Sequence, residues 1–315
     1  MLGKIVRSVA QKLRVVMLFV AAAALGSLAT GAGQAQAEAA YEYSDTNALV
    51  SLVADAAHLL ESKGLEGLKE FAEPGSRWRT GKNYLYVYSA EGDCLYNAGQ
   101  PELVGKNLKG YQDVDGRLVV QQLMNIAAQP EQDAAGWVFF VFQEGNVLSP
   151  VWKASYNKKA VLPDGRVVVV GSGSTSLKME RSFVTRSVDE AAALLSARGR
   201  DAAFEAIFDD ASPFNILGSY VFVLDEKGHT LLDPSFPNMP GRDLSGMTDA
   251  IGRAYIRELL DKLARSDTAS TMFFWRPSAN EVPQRKVIYA RKVSVNGTAY
   301  IVGTEYLLPT PIWMK

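Results

Sequence analysis

Cysteine and histidine are nearly absent from this 315-residue chain, which holds one cysteine, Cys94, and two histidines, His58 and His229. A single thiol excludes any disulfide within the chain and any cysteine-rich metal site. Cys94 lies in a strand-like run, where a buried, inert thiol is the expected role. The histidines fall in unrelated settings, a helical stretch and a turn, and form no His-x-x-x-His pair. No G-x-S-x-G elbow occurs, and "GSGS" at 171–174 lacks the lysine and spacing of a phosphate loop. An enzyme is therefore not expected, with a carboxylate-based hydrolase as the weakest alternative, and no cofactor is implied. An excess of charge is also missing. The first 37 residues carry four basic and no acidic side chains, leaving 29 basic against 34 acidic in the rest. Phosphate binding needs a concentrated basic face, so nucleic acid is not an expected partner.

What is present begins with the N-terminus. Lys4, Arg7, Lys12 and Arg14 precede the apolar run "VVMLFVAAAALGSLATGA" and the small-residue triplet Ala35-Gln36-Ala37. These are the three regions of a secretory signal peptide, expected at 1–37 with cleavage after Ala37. An uncleaved membrane anchor is the alternative, since the run is near the lower length for spanning. The mature protein is expected in the periplasm or secreted. Its 48% hydrophobic and 21% charged composition suits a globular chain, and the length suits two domains.

Self-comparison supplies the organisation. Shifting 83–124 by 136 positions onto 219–260 gives 12 identities in 42 gapless positions. Among them are Tyr84 with Tyr220, Gly92 with Gly228, Asp113 with Asp249 and Arg117 with Arg253. Further on the offset shortens: Phe139-Phe140 aligns with Phe273-Phe274, and Lys153 and Tyr156 align with Lys286 and Tyr289. The chain reads as two copies of one domain, at 38–175 and 176–315.

Each copy opens with a helical apolar pattern, Leu49, Leu52, Val53, Ala56, Leu59 and Leu60 in the first and Phe183, Val184, Val188, Ala191 and Leu195 in the second. Two strands, a short helix and three more strands follow. Asp164-Gly165 and Asn296-Gly297 each join the last two strands and suit type I′ hairpins. The expected fold is α+β: a long N-terminal helix, a short helix and a five-stranded antiparallel sheet in each copy. Asp113 and Asp249, just ahead of the short helices, are expected to cap them.

The order of these residues resembles the Cache domains, specifically the single-Cache type with a PAS-like sheet. The pattern "Y-x-F/Y-V … G … L … G-x-x-L … D-x-x-G-R … G-W-V … K-x-x-Y … G" is met by Tyr84, Tyr86, Val87, Gly92, Leu95, Gly105, Leu108, Asp113, Gly116, Arg117, Gly136, Trp137, Val138, Lys153, Tyr156 and Gly171. The second copy meets it from Tyr220 to Gly303, but has Ser270-Thr271 near the place of Gly136-Trp137. Asn97 and Asp233 stand where family members often carry histidine. The resemblance implies extracytoplasmic sensing of a small molecule, often an organic acid or amino acid, in a pocket on one sheet face. No kinase, methyl-accepting or cyclase region is present, so signal transduction is expected through a membrane-bound receptor or kinase partner.

Strand alternation nominates the site. Tyr84, Tyr86 and Tyr88 share one side of their strand, as do Tyr220 and Phe222. Trp137 and Phe139 share a side of another, as do Phe273 and Trp275. Such stripes wall a pocket or pack a core, and both readings stand. Lys153 and Lys286 would pair with the carboxylate of an organic anion, or else guard a sheet edge. Tyr156 and Tyr289 complete the candidate set. Residues three apart in a regular strand face opposite ways, so lysine and tyrosine share a pocket only across a bulge.

Overall fold

A computed structural model describes residues 41–308, apart from 81–82, 144–148 and 279. The signal segment and its cleavage after Ala37 lie outside the described residues. Among these, no helix is long and apolar enough to cross a membrane.

The first copy starts with helix α1 (Ser44–Lys63), a 3₁₀ turn and helix α2 (Leu68–Ala72). Strands β1 (Arg79–Thr80), β2 (Asn83–Ser89) and β3 (Cys94–Asn97) follow, then helix α3 (Val119–Ala127). Strands β4 (Ala135–Phe142), β5 (Val151–Val161) and β6 (Val167–Ser174) close it. The sheet runs β1-β2-β6-β5-β4, fully antiparallel, and β3 also pairs with β2. The second copy repeats this with α4 (Arg181–Arg198), α5 (Arg200–Phe208), β7 (Asn215–Ile216), β8 (Ser219–Asp225), β9 (Thr230–Leu232), α6 (Tyr255–Leu263), β10 (Thr268–Trp275), β11 (Gln284–Val295) and β12 (Thr298–Leu307). Its sheet has the matching order β10-β11-β12-β8-β7, with β9 on β8. The α+β architecture is as the sequence predicts, with a two-residue strand added to the edge of each sheet.

Each sheet has two apolar faces because its strands alternate between two sets of core residues. In the first copy, Leu85, Val87, Trp137, Phe139, Ala154, Tyr156 and Val170 pack with Leu49, Val53, Ala56 and Leu60 of α1. Tyr86, Tyr88, Val138, Phe140 and Val169 pack on the other face with Val120, Leu123 and Ile126 of α3. The second copy divides likewise between α4 and α6.

The two hairpins differ in a way the dipeptides alone do not reveal. Asn296 and Gly297 both have positive φ, 51° and 80°, as a type I′ turn requires. At the other hairpin only Gly165 is positive, at 84°. Pro163 fixes a negative φ just before Asp164, so the loop closes instead through Gly165 N–H to Leu162 C=O, 2.9 Å, and Leu162 N–H to Arg166 C=O, 2.8 Å. This is the longer glycine-bulged connection.

Asp113 and Asp249 do not cap helices, which begin at Val119 and Tyr255. Asp113 Oδ1 accepts the N–H groups of Asp115 and Arg117, and Oδ2 accepts that of Val141 in β4. Asp249 does the same for Ile251, Arg253 and Phe274. Each aspartate ties the loop before the short helix to the sheet edge. That gives the repeated D-x-x-G-R motif a structural purpose.

Candidate functional site

In the first copy the α3 face of the sheet does not close completely. Between it and the loop and helix above lies a cavity of about 60 Å³. Tyr84, Tyr86 and Tyr88 from β2, Phe140 and Phe142 from β4, and Lys153 from β5 form the sheet side. Asn97, Gln100, Leu103, Leu108 and Tyr111 come from β3 and the following loop, and Val119, Val120 and Leu123 from α3.

The polar atoms are held in place from the sheet. Lys153 is 4% exposed, which an ammonium tolerates only with compensating contacts. Its Nζ donates to Tyr84 Oη at 2.8 Å and lies 4.2 Å and 4.6 Å from the ring centres of Tyr84 and Phe142. Tyr86 Oη donates to Asn157 Oδ1 at 2.6 Å, and Asn157 Nδ2 donates to the Ser155 carbonyl at 3.0 Å. Burial pushes the Tyr86 and Tyr88 phenols well above their ordinary range, so both stay neutral. Asn97 Oδ1 accepts the N–H groups of Gly99 and Gln100, fixing the loop that forms one wall.

Glycine makes room for the aromatic wall. A Cβ on Gly171 would lie 2.6 Å from the Tyr86 ring and 2.2 Å from Asn157 Oδ1. On Gly303 it would lie 2.7 Å from the Phe222 ring. The glycine near the end of each sequence pattern is therefore the bed for the aromatic on the neighbouring strand.

The structure divides the nominated residues between two faces. Tyr84, Tyr86, Tyr88 and Lys153 meet at the cavity. Trp137, Phe139 and Tyr156 do not: they belong to the opposite core, against α1 and Phe183. β5 pairs regularly with β4 and β6 through this stretch, so no bulge brings Tyr156 round to Lys153. The strand register also corrects the self-alignment. Phe140 pairs with Lys153, and Phe273 pairs with Lys286. The repeat is thus Phe140 with Phe273 and Phe142 with Trp275, one residue from the sequence match, and a slip of one reverses the face. The sequence reading did not nominate Phe140 and Phe142, whose alternation with Val138 is visible in β4, and it singled out Asn97, the last residue of β3, only as a departure from the family's histidine. The loop residues Gln100, Leu108 and Tyr111 follow no period. Arg77 is outside the site, 2.8 Å from Asp55 of α1, and Trp78 is buried in the α1 core.

In the second copy Phe222 and Phe273 pack against α6. Tyr220, Trp275 and Lys286 share that face by alternation. Lys286 Nζ lies 4.1 Å from the Trp275 ring centre and pairs with Glu305 of β12. Tyr289 is on the opposite face, packed on the α4 side with its Oη 3.5 Å from Asp189. Tyr255 stacks on Phe273 at 4.3 Å where the first copy has Val119. Burial, reinforced by Glu305, pushes the Tyr255 phenol up to about 12.

A five-position antiparallel sheet, with a long helix on one face and a short helix on the other, is a PAS-like α+β domain, and it occurs here twice. Residues 46–177 match the profile described as Cache domain, and 191–306 match Single Cache domain 2. The chain belongs to the Cache domains and carries two in tandem. Among solved structures it is similar to a periplasmic sensor domain of a chemotaxis protein, at 23% identity and TM-score 0.31, covering 41% of this chain and 89% of that one. It is also similar to a Cache chemosensory domain studied for carboxylic acid recognition, at 21% and 0.34, covering 42% and 94%. A third is the ligand-binding domain of a Pseudomonas aeruginosa PAO1 amino acid chemoreceptor in complex with GABA, at 12% and 0.27, covering 83% and 90%. No curated protein matches the chain.

Proposed function

We propose that the chain is an extracytoplasmic sensing protein whose first Cache domain binds a small organic anion, such as a short carboxylate, without covalent chemistry. The cavity of the first domain carries this reading, with the Lys153 ammonium and Tyr84 phenol side by side on an otherwise mainly apolar wall. An ammonium and a phenol are matched donors for one carboxylate, and charge-assisted bonds are the stronger ones. A volume of about 60 Å³ is small beside typical pockets of roughly 300–1,000 Å³. It favours a ligand of few heavy atoms. The charged n-region, apolar run and Ala-x-Ala ending of residues 1–37 support export to the periplasm. Transmission to a separate membrane receptor or kinase belongs to the same proposal.

The test is thermal denaturation and calorimetry with a panel of short carboxylates, amino acids and amines. A ligand that binds only the folded protein raises its melting temperature by mass action. A short carboxylate should do so, and Lys153→Met should weaken it roughly 10- to 100-fold, the worth of a hydrogen bond to a charged group. Stabilisation by amines alone, or an unchanged response in Lys153→Met, would defeat the assignment.

A further inference from the structure

The two domains differ at one position that bears directly on anion binding. In the second domain Ile288 of β11 pairs with Glu305 of β12, and in the first the matching Ser155 of β5 pairs with Gly173 of β6. The neighbouring pairs Tyr86 with Gly171 and Phe222 with Gly303 confirm this register. Glu305 is thus the counterpart of Gly173. Glu305 reaches the ammonium of Lys286, the counterpart of Lys153, and Lys286 also lies over Trp275 as Lys153 lies over Phe142. In the first domain a Cβ at Gly173 would come within 2.9 Å of Lys153 Cε, so any side chain there would enter the lysine's own space.

We propose that Glu305 is a tethered ligand of the second domain, occupying beside Lys286 the place a bound carboxylate would take and closing that domain to small anions. From Cβ outward a glutamate side chain has the atoms of propionate, a short carboxylate. The chain supplies it at a fixed position and pays no translational entropy for it. Two further observations place the Glu305 charge inside the same cluster. Asp233, the counterpart of cavity residue Asn97, is held above the usual carboxylate range by burial with Glu305 adding to the effect, and Tyr255 is raised in the same way. The inference rests on the reading of Lys153 as an anion donor, carried to Lys286.

The test uses propionate on the full chain in a Lys153→Met background, which silences the first domain. Glu305→Gly in that background should gain a propionate site, seen as one binding event by calorimetry and a propionate-dependent rise in melting temperature at least tenfold more sensitive than in Lys153→Met alone. Adding Lys286→Met should abolish it. If Glu305→Gly does not fold, Glu305→Ala is measured in the same way. Failure of the opened variant to bind propionate, or binding that survives Lys286→Met, overturns the proposal. Propionate binding by the unaltered chain that Lys153→Met does not weaken would instead count against the first-domain assignment, whereas a site gained in Glu305→Gly and lost again with Lys286→Met would still support this one.

Discussion

Asp233 shows how a single change between the repeats alters the energetics of a shared loop. Both Asn97 and Asp233 use Oδ1 to accept two backbone N–H groups from the turn that follows. Asparagine does so without charge, whereas the aspartate must ionise in a partly buried place near Glu305. Burial raises its pKa above the ordinary carboxylate value, against the pull of the Phe236 and Ser235 N–H groups. The folded protein therefore holds this proton more tightly than the unfolded chain, and stability falls as pH rises through the carboxylate range. Asp233→Asn should melt higher than the unaltered chain at pH 7, by about 1 kcal/mol or less for a partly exposed charge. The gain should shrink as pH falls through about 4 and vanish by about pH 3, where an ordinary aspartate is largely protonated. A series of melting curves across pH checks both the sign and the window.

In β6 and its counterpart β12 one glycine makes room for the aromatic on the neighbouring strand. Gly171→Ala would drive a methyl group into the Tyr86 ring and the Asn157 oxygen, breaking their hydrogen bond. It should cost about 1–3 kcal/mol, as overpacking does, and also weaken ligand binding. Gly303→Ala meets first the Phe222 ring, at 2.7 Å against 2.2 Å for the nearest atom at Gly171, so denaturation should show the smaller loss. The order of elements was legible because turn glycines and apolar periods recur in both copies. The face of the β4 aromatics was not, since adjacent phenylalanines permit two alignments of β4 on β10 one residue apart, and only the cross-strand pairing distinguishes them. Tyr84, Tyr86 and Tyr88 were readable because three tyrosines in strict alternation leave no such freedom. The loop from Gln100 to Tyr111 was unreadable, as its cavity-lining residues follow neither a strand nor a helix period.

The two repeats are not independent bodies joined by a linker. Phe183 belongs to α4 of the second repeat, yet its ring sits 4.8 Å from Trp137 and 5.1 Å from Phe139 in the first core. Glu180, 1% exposed, accepts the N–H groups of Glu42 and Tyr43 ahead of α1. Arg117, just ahead of α3, donates from Nη2 to the Asp210 carbonyl at 2.8 Å. Trp137, Phe139 and Tyr156, nominated for the pocket, thus line the seam where the second repeat's first turn packs. Phe183→Ala should cost about 3–5 kcal/mol, the usual loss for a buried phenylalanine. The first domain should bear that loss, and hydrogen exchange resolved along the chain should show protection falling in α1 and β4 before β11 and β12.

The solitary thiol acquires a use from its position. Cys94 is fully buried in the cluster shared by Tyr88, Phe140 and α3, and burial raises its pKa, so a thiol reagent can reach it only from an opened first domain. With one such group per molecule, alkylation would count openings of that domain alone. A chain so scarce in cysteine carries its own clock for the cavity, one that needs no label and reads nothing from the second repeat.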